Sequence, residues 1–313
     1  MREGRGTDRC MELWIPISIF AAFMQNLRFM LQKHLKATRL STGGATFSRF
    51  VFAAPLAMLL VWALVASGIR DLPGFNARFF VFAIAGGVSQ ILATVCVVVL
   101  FGERNFTVGI TLKKTETMQT AIIALLVLGE AVSLWGVIAI LIGLVGVILL
   151  SDPPKTDVKL KWQARVFNRA SGFGMASGAL FGVSATGYRG ASLALGGDGD
   201  FLIRAATTLA FVTLFQTVIM SAWLRWREIG QLTAVMKSWR VTALVGVTGV
   251  LGSLGWFMAF TLQHAAYVKA LGQIELVFTF IASYFFFKER SSGRELAGIA
   301  LVVASISVLV LLL

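Results

Sequence analysis

Ten apolar stretches follow one another through this chain, at residues 13–32, 45–69, 79–101, 106–129, 132–151, 171–193, 200–224, 240–263, 265–287 and 295–313. A helix rises about 1.5 Å per residue, so roughly 20 apolar residues cross the hydrocarbon layer of a bilayer. Hydrocarbon offers no partner to an open backbone, so each stretch is expected to close its own hydrogen bonds as a helix. The fold class this implies is an all-α integral membrane protein of ten transmembrane helices. Charged residues make up 14% of the 313 residues, against about a quarter in a soluble domain.

A glutamate recurs in the middle of two of these stretches. The first reads Thr111-Leu-Lys-Lys-Thr-Glu116-Thr-Met-Gln-Thr120, then runs apolar to Gly129-Glu130. The second reads Lys269-Ala-Leu-Gly-Gln-Ile-Glu275-Leu-Val-Phe-Thr279, then runs apolar to Lys288-Glu289. Glu116 to Glu275, Thr120 to Thr279 and Glu130 to Glu289 share one offset of 159 residues. A carboxylate at mid-bilayer costs on the order of 2.5–3.5 kcal/mol even on insertion scales. Two of them in register point to a duplication around a central polar site.

The one long polar stretch begins at Asp152-Pro153-Pro154-Lys155 and runs to Arg169. It divides the chain into a five-helix repeat at 13–151, a basic linker at 152–170 and a second five-helix repeat at 171–313. Five is odd, so the second repeat enters from the opposite face, giving two inverted repeats with the site near the midplane where they meet. Arg49 and Arg204 form a further correspondence, offset by 155.

Several side chains lie along the expected pathway for a substrate or ion. Lys113 and Glu116 are three apart and share a helix face, which Thr120 extends. Glu275 and Thr279 repeat that spacing and Ser283 continues it, while Lys269 and Gln273 form another face. Lys114, Arg49 and Arg204 complete the set. One reading is structural: Glu116 is neutralised by Lys113 or Lys114 and locks helices together. A second is a positive interior that binds an anionic substrate. In a third, the glutamates carry protons or bind an amine. Arg28 and Arg189 sit close enough to span ends to snorkel, and Arg49 and Arg204 lie near the starts of theirs.

Other features have simpler readings. The net charge of +13 comes mostly from turns between apolar runs, where bases face headgroups, so it does not imply nucleic acid. Cys10 and Cys96, and His34 and His264, are isolated and offer neither a bridge nor metal-ligand spacing. No cofactor is implied, and no nucleophile–base pair marks an enzyme. Gly246, Gly249, Gly252 and Gly255 in one span, and Gly174, Gly178 and Gly182 in another, form small-residue ridges that let helices pack closely. Pro55 is placed to kink its helix. Trp14, Trp135, Trp223, Trp226 and Trp239 fall near span ends as interfacial anchors. Trp256 and Phe257 are aromatics near the interior.

One stretch in each half resembles the drug/metabolite transporter superfamily, and within it the EamA-type ten-span carriers. These stretches are Leu128-Gly129-Glu130 followed by Gly143 and Gly146, and Phe287-Lys288-Glu289-Arg290 followed by Gly298. The chain departs from the pattern in lacking a basic residue after Glu130 and in having Ser305 opposite Gly146. The resemblance implies a multi-pass carrier in the cell (inner or plasma) membrane. Such carriers export or exchange small metabolites, amino acids or nucleotide sugars, driven by protons or counter-substrate. The expected function is a secondary transporter of small polar metabolites working by alternating access, with a flippase for a lipid-linked substrate as the alternative. The expected partners are a small, anionic substrate and the bilayer, for a monomer or homodimer. Orientation stays open. Of the 21 Lys and Arg outside the spans, 5 lie on the N-terminal side and 16 on the other, which favours termini outside. The family implies termini in the cytoplasm.

Overall fold

The computed structural model describes residues 4–38, 40–68, 70–100, 112–150, 169–196, 200–286 and 293–312. They form helices α1 (Gly4–Thr38), α2 (Thr42–Ala66), α3 (Ala77–Leu100), α4 (Glu116–Leu128), α5 (Leu134–Leu150), α6 (Arg169–Ala194), α7 (Phe201–Arg227), α8 (Gln231–Lys237), α9 (Trp239–Leu262), α10 (Ala265–Leu271), α11 (Ile274–Phe286) and α12 (Gly293–Leu312). No strand occurs among the described residues, and the only extended pairing there is a bridge between Gly74 and Gly196. Among the described residues six helices are long and apolar enough to cross a membrane: α1, α2, α3, α7, α9 and α12. The linker at 152–168, Lys288, Glu289 and residues 101–111 lie outside the described residues.

Two expectations about continuity change. The stretch at 265–287 is not one helix: α10 ends at Leu271 and α11 begins at Ile274. Between them Gln273 N donates to Ala270 O and Glu275 N to Gly272 O, both at 3.2 Å. These are three-residue steps, so the chain tightens into a 3₁₀-like turn. Before α4 the same occurs, with Thr115 N donating to Leu112 O at 3.1 Å. Each glutamate therefore opens a new helix directly after a tightened turn. Pro55 does not end its helix: α2 runs through it from Thr42 to Ala66.

The chain forms two compact units. The first comprises residues 1–91 and 187–264, the second 92–186 and 265–313. Each gathers pieces from both halves of the sequence, a different division from one by repeat.

In the first unit the glycine face of α9 packs on α1 and α2. A Cβ at Gly246 would collide with Phe52 Cβ, and one at Gly255 would sit 2.8 Å from Ala21 Cβ. Leu35, Phe47, Phe50, Leu224, Val235 and Val245 make a buried apolar core beside this contact. Ser41 caps α2 by accepting from Gly44 N. It also donates to Glu228 Oε2, while its own N–H donates to Gln231 Oε1 at 3.0 Å. Beyond the far end of α2, Arg70 pairs with Asp200 at 2.7 Å, and Gly74 and Gly196 exchange backbone hydrogen bonds. Trp223, Trp226 and Trp239 are exposed near helix ends, as interfacial anchors would be, but Trp14 is buried.

In the second unit α5 and α12 cross at glycine. A Cβ at Gly146 would sit 2.8 Å from Gly298 O, so backbone meets backbone there. Ser305 takes its place in this seam by donating to Ala139 O at 2.6 Å. Gly129 ends α4 with φ +72°: its N–H donates to Leu125 O and that of Glu130 to Ala124 O. This is a left-handed glycine stop of the αL type, which gives the Leu128-Gly129-Glu130 stretch a physical meaning.

Candidate functional site

The second unit brings three lysines and two glutamates together. Lys269 on α10 donates to Glu116 Oε1 at the start of α4. Lys113, one helical step before Glu116, lies 3.5 Å from its Oε2. Lys114 donates to Glu275 Oε1, at the start of α11, at 2.6 Å. The pairing is reciprocal, since a lysine from each half of the sequence meets the glutamate of the other half. Close by, Gln273 Nε2 donates to Thr117 Oγ1 at 3.1 Å. Gln273 Oε1 is buried and accepts nothing among the described residues.

Glycine on α6 sets the depth of the cluster. A Cβ at Gly178 would fall 3.0 Å from Gln119 Oε1 and 3.2 Å from Lys113 O, and one at Gly182 would fall 3.1 Å from Thr120 Oγ1. With that approach open, Phe181 turns its ring toward two ammoniums, with Lys113 Nζ 5.0 Å and Lys269 Nζ 5.7 Å from its centroid. These are cation–π distances. Phe181 and Thr117 were not singled out from the sequence. The only pointer to Phe181 was its place inside the Gly178–Gly182 ridge.

The five charged side chains are 14–23% exposed. They are neither sealed off nor loose in solvent. Such a cluster is desolvated enough for charge to matter and open enough for a ligand or water to reach it. Three cations against two anions leave an excess positive charge.

The remaining expected site residues lie elsewhere. Thr120 is buried and donates to Glu116 O at 2.7 Å, which satisfies it within its own helix. The side chains of Thr279 and Ser283, like those of Cys10 and His34, lie outside the described residues. Arg49 and Arg204 belong to the first unit. Arg204 sits in the first turn of α7, where its N–H donates to Asp200 O. Arg28 and Arg189 do not snorkel: both are buried, and Arg189 donates to Phe260 O and Gln263 O at 2.6 and 2.7 Å, closing the end of α9. Trp256 donates to Gln25 Oε1 and Phe257 stacks on Tyr188, so helix packing accounts for both.

Among the described residues the chain is all-helical, with six helices long and apolar enough to cross a membrane. Residues 201–311 match the EamA-like transporter family, and the chain carries an EamA-like transporter family domain there. A solved structure described as "Crystal structure of protein" superposes with a TM-score of 0.71 at 13% identity, covering 96% of this chain and 97% of that one. At that identity the likeness is one of fold. No curated protein sequence matches the chain.

Proposed function

We propose that the chain is a secondary transporter of small polar metabolites, working by alternating access of two inverted five-helix repeats around Glu116 and Glu275. The observation that carries this is the reciprocal pairing of Lys114 with Glu275 and of Lys269 with Glu116. A cluster that only locked helices together could be replaced by apolar packing at no loss of stability. Here the same device is built twice, each time at the first turn of a helix that follows a tightened turn. Discontinuous helices with charged groups at the break are how many transporters build a midplane site.

Two further observations favour the inverted arrangement. The connection before α2 is tied to the one after α7, through Ser41 with Glu228 and Gln231. The connection after α2 is tied to the one before α7, through Arg70 with Asp200 and Gly74 with Gly196. Ten alternating spans with an odd number per repeat require these connections to share a face in this way.

The excess positive charge favours an anionic substrate, exchanged for another anion or moved against protons held on the glutamates. A groove of about 440 Å³ between α4 and α6, lined by Gln119, Ile122, Ile123, Met175, Ala176 and Ala179, favours the second reading, a flippase for a lipid-linked substrate. Uptake and efflux of a labelled metabolite panel in proteoliposomes, with and without a pH gradient, tests both. Gradient-dependent flux supports proton coupling, and flux indifferent to the gradient supports anion exchange. No flux from any metabolite, together with movement of a labelled lipid between leaflets, supports the flippase instead.

A further inference from the structure

We propose that Arg49 anchors an oxyanion-binding site inside the first unit. Its ligand class is a small carboxylate or phosphate.

Arg49 carries five N–H donors in a fixed planar fork. Nη2 donates to Ser253 Oγ at 3.0 Å, the guanidinium lies 5.3 Å from the centroid of Phe50, and Tyr188 is its one further electrostatic neighbour among the described residues. No carboxylate among the described residues pairs with it. The sequence supplies none nearby, because α2, α7 and α9 contain no Asp or Glu from Thr42 to Ala66, Phe201 to Arg227 or Trp239 to Leu262.

The direction of the side chain matters as much as its partners. Arg49 stands seven residues, about 10 Å, from the start of α2. A snorkelling arginine would reach back to that end. Instead its head rests on Ser253, 14 residues into α9 and nine from its end. Gly249 makes room for this, since a Cβ there would sit 3.4 Å from Arg49 Cγ and 3.5 Å from Arg28 Cδ. Two arginine stems therefore run past one glycine, and Arg28 is itself held by a hydrogen bond to Gln32 Oε1 at 3.2 Å.

Holding the Arg49 guanidinium inside a membrane-spanning unit with no carboxylate beside it is costly unless an anion meets it. A carboxylate or phosphate presents paired oxygens that match the guanidinium fork. Arg189 of α6, in the same unit, is spent on two backbone carbonyls. Arg49 keeps most of its donors for a ligand.

The test is equilibrium binding of inorganic phosphate and of succinate to the full chain in phosphatidylcholine nanodiscs, which needs no transport. Wild-type protein should bind at least one probe saturably. Arg49→Gln should weaken that binding about tenfold or more, as expected for loss of a charged hydrogen-bond donor. Arg49→Lys, which keeps the charge, should retain part of it, and Arg70→Gln, which removes an equal charge on a connecting loop, should leave it unchanged. Repeating the titration with phosphatidylglycerol in the disc separates the sources: competition assigns the site to a headgroup phosphate, and unchanged binding assigns it to a soluble oxyanion. Absence of saturable binding of either probe to the wild type overturns the proposal, as does equal binding by a folded Arg49→Gln protein. A chain that binds at Arg49 but moves nothing across a bilayer would defeat the transport reading and leave this site standing.

Discussion

Lys114, two residues before the glutamate of its own half, reaches past Glu116 to bond Glu275 of the other half at 2.6 Å. Glu116 in turn accepts from Lys269. Glu116 also has Lys113 at 3.5 Å, so the two pairs differ in load. Removing the Glu116 carboxylate leaves two ammoniums facing one another, and removing that of Glu275 leaves one. Glu116→Gln should therefore lower the thermal midpoint in detergent more than Glu275→Gln. A double-mutant cycle on Lys114→Met and Glu275→Gln should give a coupling of about 1–3 kcal/mol. Additive effects in that cycle would mean the contact contributes nothing.

The α5–α12 crossing depends on the absence of a side chain. Gly146→Ala should destabilise by about 1–3 kcal/mol, because its Cβ would press on the Gly298 carbonyl oxygen at 2.8 Å and backbone cannot step aside as a side chain can. Gly172→Ala offers the contrast. It is a helical glycine with nothing within 4 Å of an added Cβ, so gained helix propensity should stabilise it by about 0.5–1 kcal/mol. Thermal unfolding of the two variants, side by side, checks the pair of signs.

Acid sensitivity should reside in part at the Arg70–Asp200 contact on the connecting loops. The hydrogen bond from Arg70 holds the Asp200 carboxyl below the usual carboxylate range, helped by the α7 N–H groups of Ile203 and Leu202. A depressed carboxylate contributes stability that is complete above its unfolded value and lost as pH falls through its folded one. The thermal midpoint should therefore drop as pH is lowered below about 4, and Asp200→Asn should flatten that part of the profile. An unchanged acid limb in Asp200→Asn would remove the contact from the account.

Phe181 faces Lys113 and Lys269 with its ring. Phe181→Leu keeps apolar bulk and loses the π face, so it should reduce flux by roughly two- to tenfold with normal insertion, while Phe181→Trp should retain most of it. Transport measured at equal protein per liposome separates these. Equal loss in both variants would point to packing and away from the ring face.

Much of this site can be read in the chain, but only the part that repeats. Glu116 and Glu275 stand out because an apolar run cannot hide a carboxylate and because the offset of 159 is kept by their neighbours. Their partners are not found that way. Lys114 and Lys269 are 155 apart, so the repeat arithmetic that locates the acids misaligns the bases. The turns before each glutamate also escape, because hydropathy averages over a window longer than a turn; Gly272-Gln273 was the one local hint. Arg49 and Arg189 show a different limit. Sequence gives the depth of a Cα, whereas the head of a long side chain can travel several ångströms either way. The two compact units were invisible for a further reason: contiguity in the chain marks only its two halves, and packing gathers pieces of both.

The central claim is that Glu116 and Glu275 carry the transport cycle. The most direct measurement is flux of the metabolite found active in the panel, in proteoliposomes holding equal amounts of inserted wild type, Glu116→Gln and Glu275→Gln. Loss of flux in both variants, at least about a hundredfold as expected when a buried charge is left without its partner, is the predicted result. Wild-type flux in both variants would contradict the account.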